Sequence, residues 1–174
     1  VAARPSPTMH SSVLAASPAS QDTGSRRLAP PNVGFAAHTH TAFGTPWSAN
    51  VRPFRALSQE SCAFVFDQAL FDDEEVEVLS YDGGKRIAAA LGDKKFCILR
   101  NHGLLTVGGS VEEAVGWFVM SERVAEVHVK APDGVAISDE AAAVAAETLA
   151  PASTGWRLFQ WLLRSVVDDP SVVD

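Results

Sequence analysis

The order of apolar and polar positions along the chain predicts a central sheet of short strands. Residues 33–41 form a mostly apolar run that ends in small and polar residues, which is typical of a strand. Residues 96–99 are apolar at every position, so this strand is predicted to be buried on both faces. The polar turn 101–103 separates it from another apolar strand at residues 104–107.

Helical spacing of apolar residues dominates the second half of the chain. Residues 111–130 carry apolar side chains three and four positions apart, and Ser110 with Glu113 forms a capping box before them. Shorter helices are predicted over residues 85–91, 138–150 and 154–167, and Gly92 suits the position after the first of these. Strands in the middle with helices around them predict the α/β class.

Composition divides the chain into a short leading segment and one domain. Residues 1–32 are rich in Ala, Ser and Pro and are predicted to be loop-rich and poorly ordered, with two helical turns over residues 9–16. Residues 33–174 are predicted to form a single domain. The whole chain of 174 residues, 47% hydrophobic and 20% charged, is long enough to bury one core.

The net charge and the cysteine content limit which partners and which cellular location are expected for the protein. The net charge is −7 and no basic block is present, which argues against a nucleic acid partner and against an anionic membrane surface. No apolar run approaches the roughly 18 residues of a membrane span, and the start lacks a signal-peptide pattern, so a cytoplasmic location is expected. Cys62 and Cys97 are predicted to be buried free thiols, with a disulfide as the alternative.

The last predicted helix carries more apolar residues than one helix face needs. These residues are Trp156, Phe159, Trp161, Leu162 and Leu163. A face packed into the core is the favoured interpretation, and a subunit interface is the alternative.

Three of the five histidines lie at predicted strand ends. His38 and His40 stand two positions apart, so their side chains project from the same face of a strand. His102 follows the second apolar run and can complete a set of three imidazoles. Three such histidines are the protein ligands of an open zinc site, in which a fourth coordination position is left for water or substrate. Spacing alone leaves open that the pair is incidental and that His102 is a solvated turn residue. His10 and His128 fall outside the set.

Four segments of the chain carry a family resemblance. They are residues 37–41 with the His-x-His pattern, residues 58–64, residues 84–93 and residues 98–108. In order and spacing they resemble the class II aldolase/adducin family over about residues 33–130.

The resemblance implies a three-layer α/β/α fold and a divalent metal ion, most simply Zn²⁺, held by His38, His40 and His102. It implies a metal-dependent aldolase-type lyase or an epimerase that acts on small sugar phosphates or keto acids. The shared step in such enzymes is an enediolate that the metal holds through two oxygens. The implied partners are a small-molecule substrate and further copies of the chain, with a tetramer as the expected assembly.

The chain departs from the family pattern before the His-x-His segment. Family aldolases place phosphate-binding loops and an acid/base glutamate there, and the glutamate would fall near Ser6, yet no carboxylate precedes Asp22. We therefore expect the chain to match the C-terminal two-thirds of the fold, as an N-terminally truncated version. Gln68 stands where His is expected in similar relatives. No catalytic residue is assigned, and Glu60 and Asp67 are expected to be structural or supporting residues.

Two functional hypotheses follow from this sequence. The first is a metal-dependent lyase or epimerase, which includes the case of an inactive truncated copy. The alternative is an adducin-like, non-catalytic binding or assembly module. The three histidines favour the enzyme, because an assembly module has no chemical need for them. The missing glutamate and phosphate loops favour the module.

Overall fold

A mixed five-stranded sheet forms the centre of the computed structural model, which describes residues 11–12, 34–74 and 81–169. The strands are β1 (Ser11–Ser12), β2 (Phe35–Thr39), β3 (Gln68–Phe71), β4 (Phe96–Leu99) and β5 (Gly103–Gly108). Their spatial order is β1-β2-β5-β4-β3, with β3 and β4 parallel and the other neighbours antiparallel. Apart from β1, the segment predicted to be poorly ordered, residues 1–32, lies outside the described residues.

Five α-helices and one 3-10 turn surround this sheet in the described residues. The helices are α1 (Gly44–Ser48), α2 (Tyr81–Leu91), α3 (Val111–Lys130), α4 (Asp139–Leu149) and α5 (Ala152–Val166), and the 3-10 turn is Glu60–Ala63. The predicted capping box starts α3. The Ser110 hydroxyl accepts a hydrogen bond from the Glu113 amide at 3.2 Å, and the Glu113 carboxylate accepts one from the Gly109 amide at 2.8 Å.

Side-chain alternation along β4 separates two hydrophobic cores. Phe96 and Ile98 lie in a core shared with α3, whereas Cys97 and Leu99 lie in a core that Leu91 of α2 closes. All four β4 side chains are buried, as the sequence predicted. Helices therefore cover both faces of the sheet, and the three-layer α/β/α prediction is confirmed.

Three local predictions were wrong. Ser11–Ser12 pairs as a strand with Thr39 and His38, where the sequence predicted helical turns. Helix α1 begins at Gly44, whereas the sequence Phe-Gly-Thr-Pro at residues 43–46 predicts a turn. Strand β3 was missed, because four residues between acidic neighbours give little pattern and the pairing with β4 stabilises it.

Helix α5 contacts α3 through backbone rather than through its tryptophans. A Cβ atom placed on Gly116 of α3 would lie 1.8 Å from the carbonyl oxygen of Gly155 in α5, so the two helices cross in direct contact. Trp156 and Trp161 are 50% and 61% exposed. The prediction that this aromatic face belongs to the core is therefore wrong for these two residues.

The two cysteines are buried free thiols, as favoured, and the disulfide alternative is wrong. Cys97 belongs to the core under α2, and Cys62 belongs to a separate small cluster with Ala142 of α4. Burial raises the pKa of both thiols, that of Cys97 to about 12. None of the described helices has the length and apolar composition needed to cross a membrane.

Candidate metal centre

Antiparallel pairing in the middle of the sheet brings the three singled-out histidines together. His38 lies on β2 opposite Leu105 of β5, and His40 follows the last residue of β2. His102 lies in the turn between β4 and β5. One ligating atom from each of the three histidines lies within 4.8 Å of those of the other two. These three residues, of which His38 and His102 are 64 positions apart in the chain, thus form one cluster at the end of β2 and the start of β5.

The β4–β5 turn reaches the end of β2 because Gly103 has no side chain. A Cβ atom there would lie 3.3 Å from the Thr39 carbonyl oxygen and 3.4 Å from the His38 ring. The backbone φ of Gly103 is +152°, a value that essentially only Gly adopts, and that of Asn101 in the same turn is +52°, a left-handed value that Asn tolerates better than most residues. Local turn chemistry therefore sets the position of His102.

Hydrogen bonding fixes the orientation of the His38 ring. Its Nδ1 lies 2.8 Å from the Leu104 carbonyl oxygen, which only accepts, so Nδ1 carries the proton and Nε2 presents a lone pair. His38 Nε2 lies 3.2 Å from His102 Nε2. This arrangement of a backbone carbonyl behind a histidine is the usual support of a metal-ligating ring.

Burial keeps two of the imidazoles neutral. Burial lowers the pKa of His38 below its ordinary value; the bond to Leu104 opposes this effect and the nearby His40 adds to it. The pKa of His102 is lowered by burial and then by its two histidine neighbours. Neutral imidazole is the form that binds a metal ion, so the pair is in a binding-competent state at neutral pH.

The donor set fits a divalent ion of the zinc type. Zn–N bonds of about 2.0–2.1 Å place two tetrahedral nitrogen ligands about 3.3 Å apart, close to the separation between His38 and His102. His40 is exposed, so the cluster opens to solvent on its side. In the described part of the chain the cluster consists of three histidines and contains no carboxylate. Metal binding by this set stays a prediction.

Glu122 of α3, which no sequence motif marks as functional, supports the segment after His40. Its carboxylate accepts hydrogen bonds from the Thr41 hydroxyl at 2.6 Å, the Phe43 amide at 2.9 Å and the Gly44 amide at 2.8 Å. The only trace in the sequence is an acidic residue between the buried positions Ser121 and Val124.

The histidine cluster does not include Glu60, Asp67 or Gln68, and each of them has a partner of its own. Glu60 forms an ion pair with Arg123 at 3.3 Å, and Asp67 forms one with Lys95 at 3.4 Å. Gln68 exchanges hydrogen bonds with the backbone of Phe54, at 2.8 Å to the amide and 2.9 Å to the carbonyl. His10 lies outside the described residues.

His128 is a satisfied core residue. Its Nδ1 donates to the Val124 carbonyl at 2.8 Å, its Nε2 accepts from the Arg55 amide at 2.8 Å, and the ring packs against Trp47 and Phe54. Burial lowers its pKa below 6.5; the bond to Val124 opposes this and the Arg55 charge adds to it.

We expect His128 to make the fold sensitive to mild acid. Because folding lowers the pKa of His128, the unfolded chain binds a proton at this residue at a higher pH than the folded chain does. The free energy of unfolding therefore falls as the pH falls through 6.5 toward the lowered pKa of the folded state. His128→Gln should flatten this dependence by up to about 1.4 kcal/mol per pH unit. Urea titrations between pH 7.5 and 5.5, with a chelator present, would show this, and parallel curves for the two proteins would contradict it.

Two curated relatives resemble the chain over three quarters of its length. The 4-hydroxy-3-prenylphenylpyruvate oxygenase/4-hydroxy-3-prenylbenzoate synthase of Streptomyces roseochromogenus subsp. oscitans is 35% identical over 133 residues, which is 75% of this chain and 48% of the relative. Decarboxylase NovR of Streptomyces niveus is also 35% identical, over 75% of this chain and 49% of its own length. The chain thus spans about half the length of the curated relatives it matches.

Solved structures show the same fold. An L-fuculose 1-phosphate aldolase from Glaciozyma antarctica PI12 matches with a TM-score of 0.67 and 34% identity, covering 78% of this chain and 54% of that one. An aldolase II superfamily protein from Pseudomonas syringae matches with a TM-score of 0.66 and 31% identity, covering 80% and 60%. The family model of the class II aldolase and adducin N-terminal domain matches residues 7–129, well over half of the sequence, and the chain therefore belongs to this family.

Proposed function

We propose that this chain is a metal-dependent lyase of the aldolase type, or an epimerase, that acts on small sugar phosphates or keto acids. One observation carries the proposal: three histidines, one from β2, one from the residue after it and one from the β4–β5 turn, converge at the end of β2 and the start of β5, on a side open to solvent. Convergent imidazoles with a free side are the donor set of a catalytic metal site rather than of a closed structural one.

His38, His40 and His102 would hold the ion, and Zn²⁺ is the ion we propose. Bound there, it would polarise a substrate carbonyl and stabilise negative charge that develops on the oxygen. Imidazole binds a metal ion as a neutral ligand, so three histidine ligands would leave the positive charge of the ion undiminished. This choice of ligand suits chemistry in which an anion forms next to a carbonyl.

The protein contributes orientation and access. The Leu104 carbonyl holds the His38 ring, and burial keeps His38 and His102 unprotonated. His40 is exposed and marks the side from which a small substrate can approach. The remaining acid/base group is not among the residues of the described cluster.

The names of similar proteins support two substrate classes. The L-fuculose 1-phosphate aldolase has a sugar phosphate in its name, and the oxygenase/synthase has a phenylpyruvate, which is a keto acid. Decarboxylase NovR adds a reaction that releases carbon dioxide. Since this chain spans only about half of these relatives, their activities enter as candidates for the assay.

The alternative function is an adducin-like binding or assembly module without catalysis. The absence of a carboxylate from the histidine cluster in the described residues favours it, since proton transfer needs a positioned acid or base.

The test combines metal analysis with two activity assays on the purified chain. We expect about one zinc-like ion per chain, and metal-dependent release of an aldehyde from a ketose phosphate or of carbon dioxide from an aryl keto acid. Protein stripped with a chelator and then reloaded is the control. A chain that holds no metal contradicts the proposal, and a metal-loaded chain without turnover in either assay supports the module.

A further inference from the structure

We propose that Glu122 is the positioning residue that sets the geometry of the histidine cluster, acting through α1. This inference rests on the proposed function, because it assigns a role toward the metal ion of that site. Glu122 does not belong to the cluster itself.

Helix α1 depends on Glu122 for its first hydrogen bonds. The residue before the helix is Phe43, and its side chain offers no acceptor to the unpaired amides at the helix start. The Glu122 carboxylate, in the middle of α3, accepts hydrogen bonds from the Phe43 and Gly44 amides and from the Thr41 hydroxyl. Negative charge at a helix start is favourable in its own right.

Both ends of α1 touch segments that carry histidines. At its start, Thr41 directly follows His40 in the chain and is bound to Glu122. At its end, the Ser48 carbonyl accepts a hydrogen bond from the Asn101 amide at 3.4 Å, and Asn101 precedes His102. A shift of α1 would therefore move two of the three imidazoles relative to each other.

The start of α1 is also pressed against the strand that orients the third imidazole. A Cβ atom on Gly44 would lie 2.8 Å from the Leu104 side chain and 2.6 Å from the Thr41 hydroxyl. Leu104 is the residue whose carbonyl holds His38. Through α1, the carboxylate of Glu122 is thus linked to the supports of all three histidines.

Only a carboxylate satisfies this arrangement. Three donors converge on two acceptor oxygens, and charge-assisted hydrogen bonds of this kind are stronger than neutral ones. A glutamine at residue 122 would offer one acceptor oxygen and would turn an NH₂ group toward another donor. We therefore expect Glu122→Gln to loosen α1 while the volume of the side chain stays the same.

A matched control on the same helix separates positioning from general stability. The Glu113 carboxylate accepts hydrogen bonds from the Gly109 amide at 2.8 Å and from the Trp117 indole at 3.2 Å. It supports the first turn of α3, at the end of β5 that lies away from His102. Glu113→Gln should lower the melting temperature without an effect on the histidine cluster.

The experiment measures Zn²⁺ affinity by competition with a chelating dye, and the visible absorption spectrum of the Co²⁺-loaded protein. For Glu122→Gln we expect roughly tenfold weaker binding, in the range seen for residues that support metal ligands, and an altered Co²⁺ spectrum. Glu113→Gln should bind both ions as wild type does. If Glu122→Gln fails to fold, Thr41→Val removes one of the three donors and should weaken binding by a smaller factor.

Three results would overturn the inference. The first applies when the wild type binds metal: a folded Glu122→Gln variant with unchanged Zn²⁺ affinity and an unchanged Co²⁺ spectrum. If Thr41→Val has to replace Glu122→Gln, the same result in that variant counts equally. The second is an equal loss in Glu113→Gln, which would mean general destabilisation. The third is wild-type protein without metal affinity, and this result alone also removes the proposed function.

Discussion

Replacing His38 with alanine is expected to abolish stoichiometric metal binding and to leave the fold in place. The variant loses one of three nitrogen donors. Loss of a residue that only supports a metal ligand lowers metal affinity by up to about 100-fold, so loss of a ligand itself should lower it by at least that factor. The fold loses the hydrogen bond to Leu104, worth about 1 kcal/mol, and the contacts of the half-buried His38 ring with His40 and His102, which lie within the cluster itself.

Elemental analysis after gel filtration would measure the bound metal, and far-ultraviolet circular dichroism would monitor the helices. His128→Gln is the matched control, since His128 is hydrogen-bonded within the core and does not belong to the cluster. The control should keep its metal. Equal metal content in wild type and His38→Ala would contradict the ligand assignment.

Replacing Gly116 with alanine is expected to produce the largest loss of stability from a single added methyl group. The new Cβ would lie 1.8 Å from the Gly155 carbonyl oxygen, and this atom belongs to the backbone of α5, so the two helices have to separate. Overpacking of this kind costs about 3 kcal/mol, which corresponds to a melting temperature about 10 °C lower for a chain of this size.

Gly84→Ala is the matched control for this substitution. Gly84 also lies inside a helix, α2, but a Cβ there would meet nothing within 4 Å. The substitution should stabilise the protein by about 0.5–1 kcal/mol, because alanine restricts the unfolded chain. Thermal unfolding of both variants measures the contrast. Similar melting temperatures for the two variants would contradict direct backbone contact between α3 and α5.

Those features of the fold that depend on residues close together in the sequence could be predicted from it. Helix α3 has its cap, its acidic first turn and its apolar spacing within one segment, and it begins and ends where predicted. Strand β3 could not be predicted, because its stability comes from parallel pairing with β4, about 28 residues further along the chain. The exposure of Trp156 and Trp161 depends on how α5 crosses α3, which periodicity does not determine.

In the candidate site, too, some residues could be predicted from local sequence patterns and others could not. The positions of His38 and His40 follow from a two-residue spacing, and the position of His102 follows from a turn that needs Asn101 and Gly103. Glu122 could not be found in this manner, because it meets Thr41 across 81 positions of sequence. Contacts of that range are set by the packing of α3 on the sheet and leave no local pattern.

The reactivity of the two buried cysteines can be used to measure local opening of the native protein. A thiol-directed alkylating reagent reacts with the thiolate, and both thiols are shielded from solvent with a raised pKa. Labelling therefore requires transient exposure, and its rate measures the free energy of that exposure. Since Cys62 lies beside α4 and Cys97 lies beneath α2, the two labelling rates report separately on the detachment of α4 and of α2.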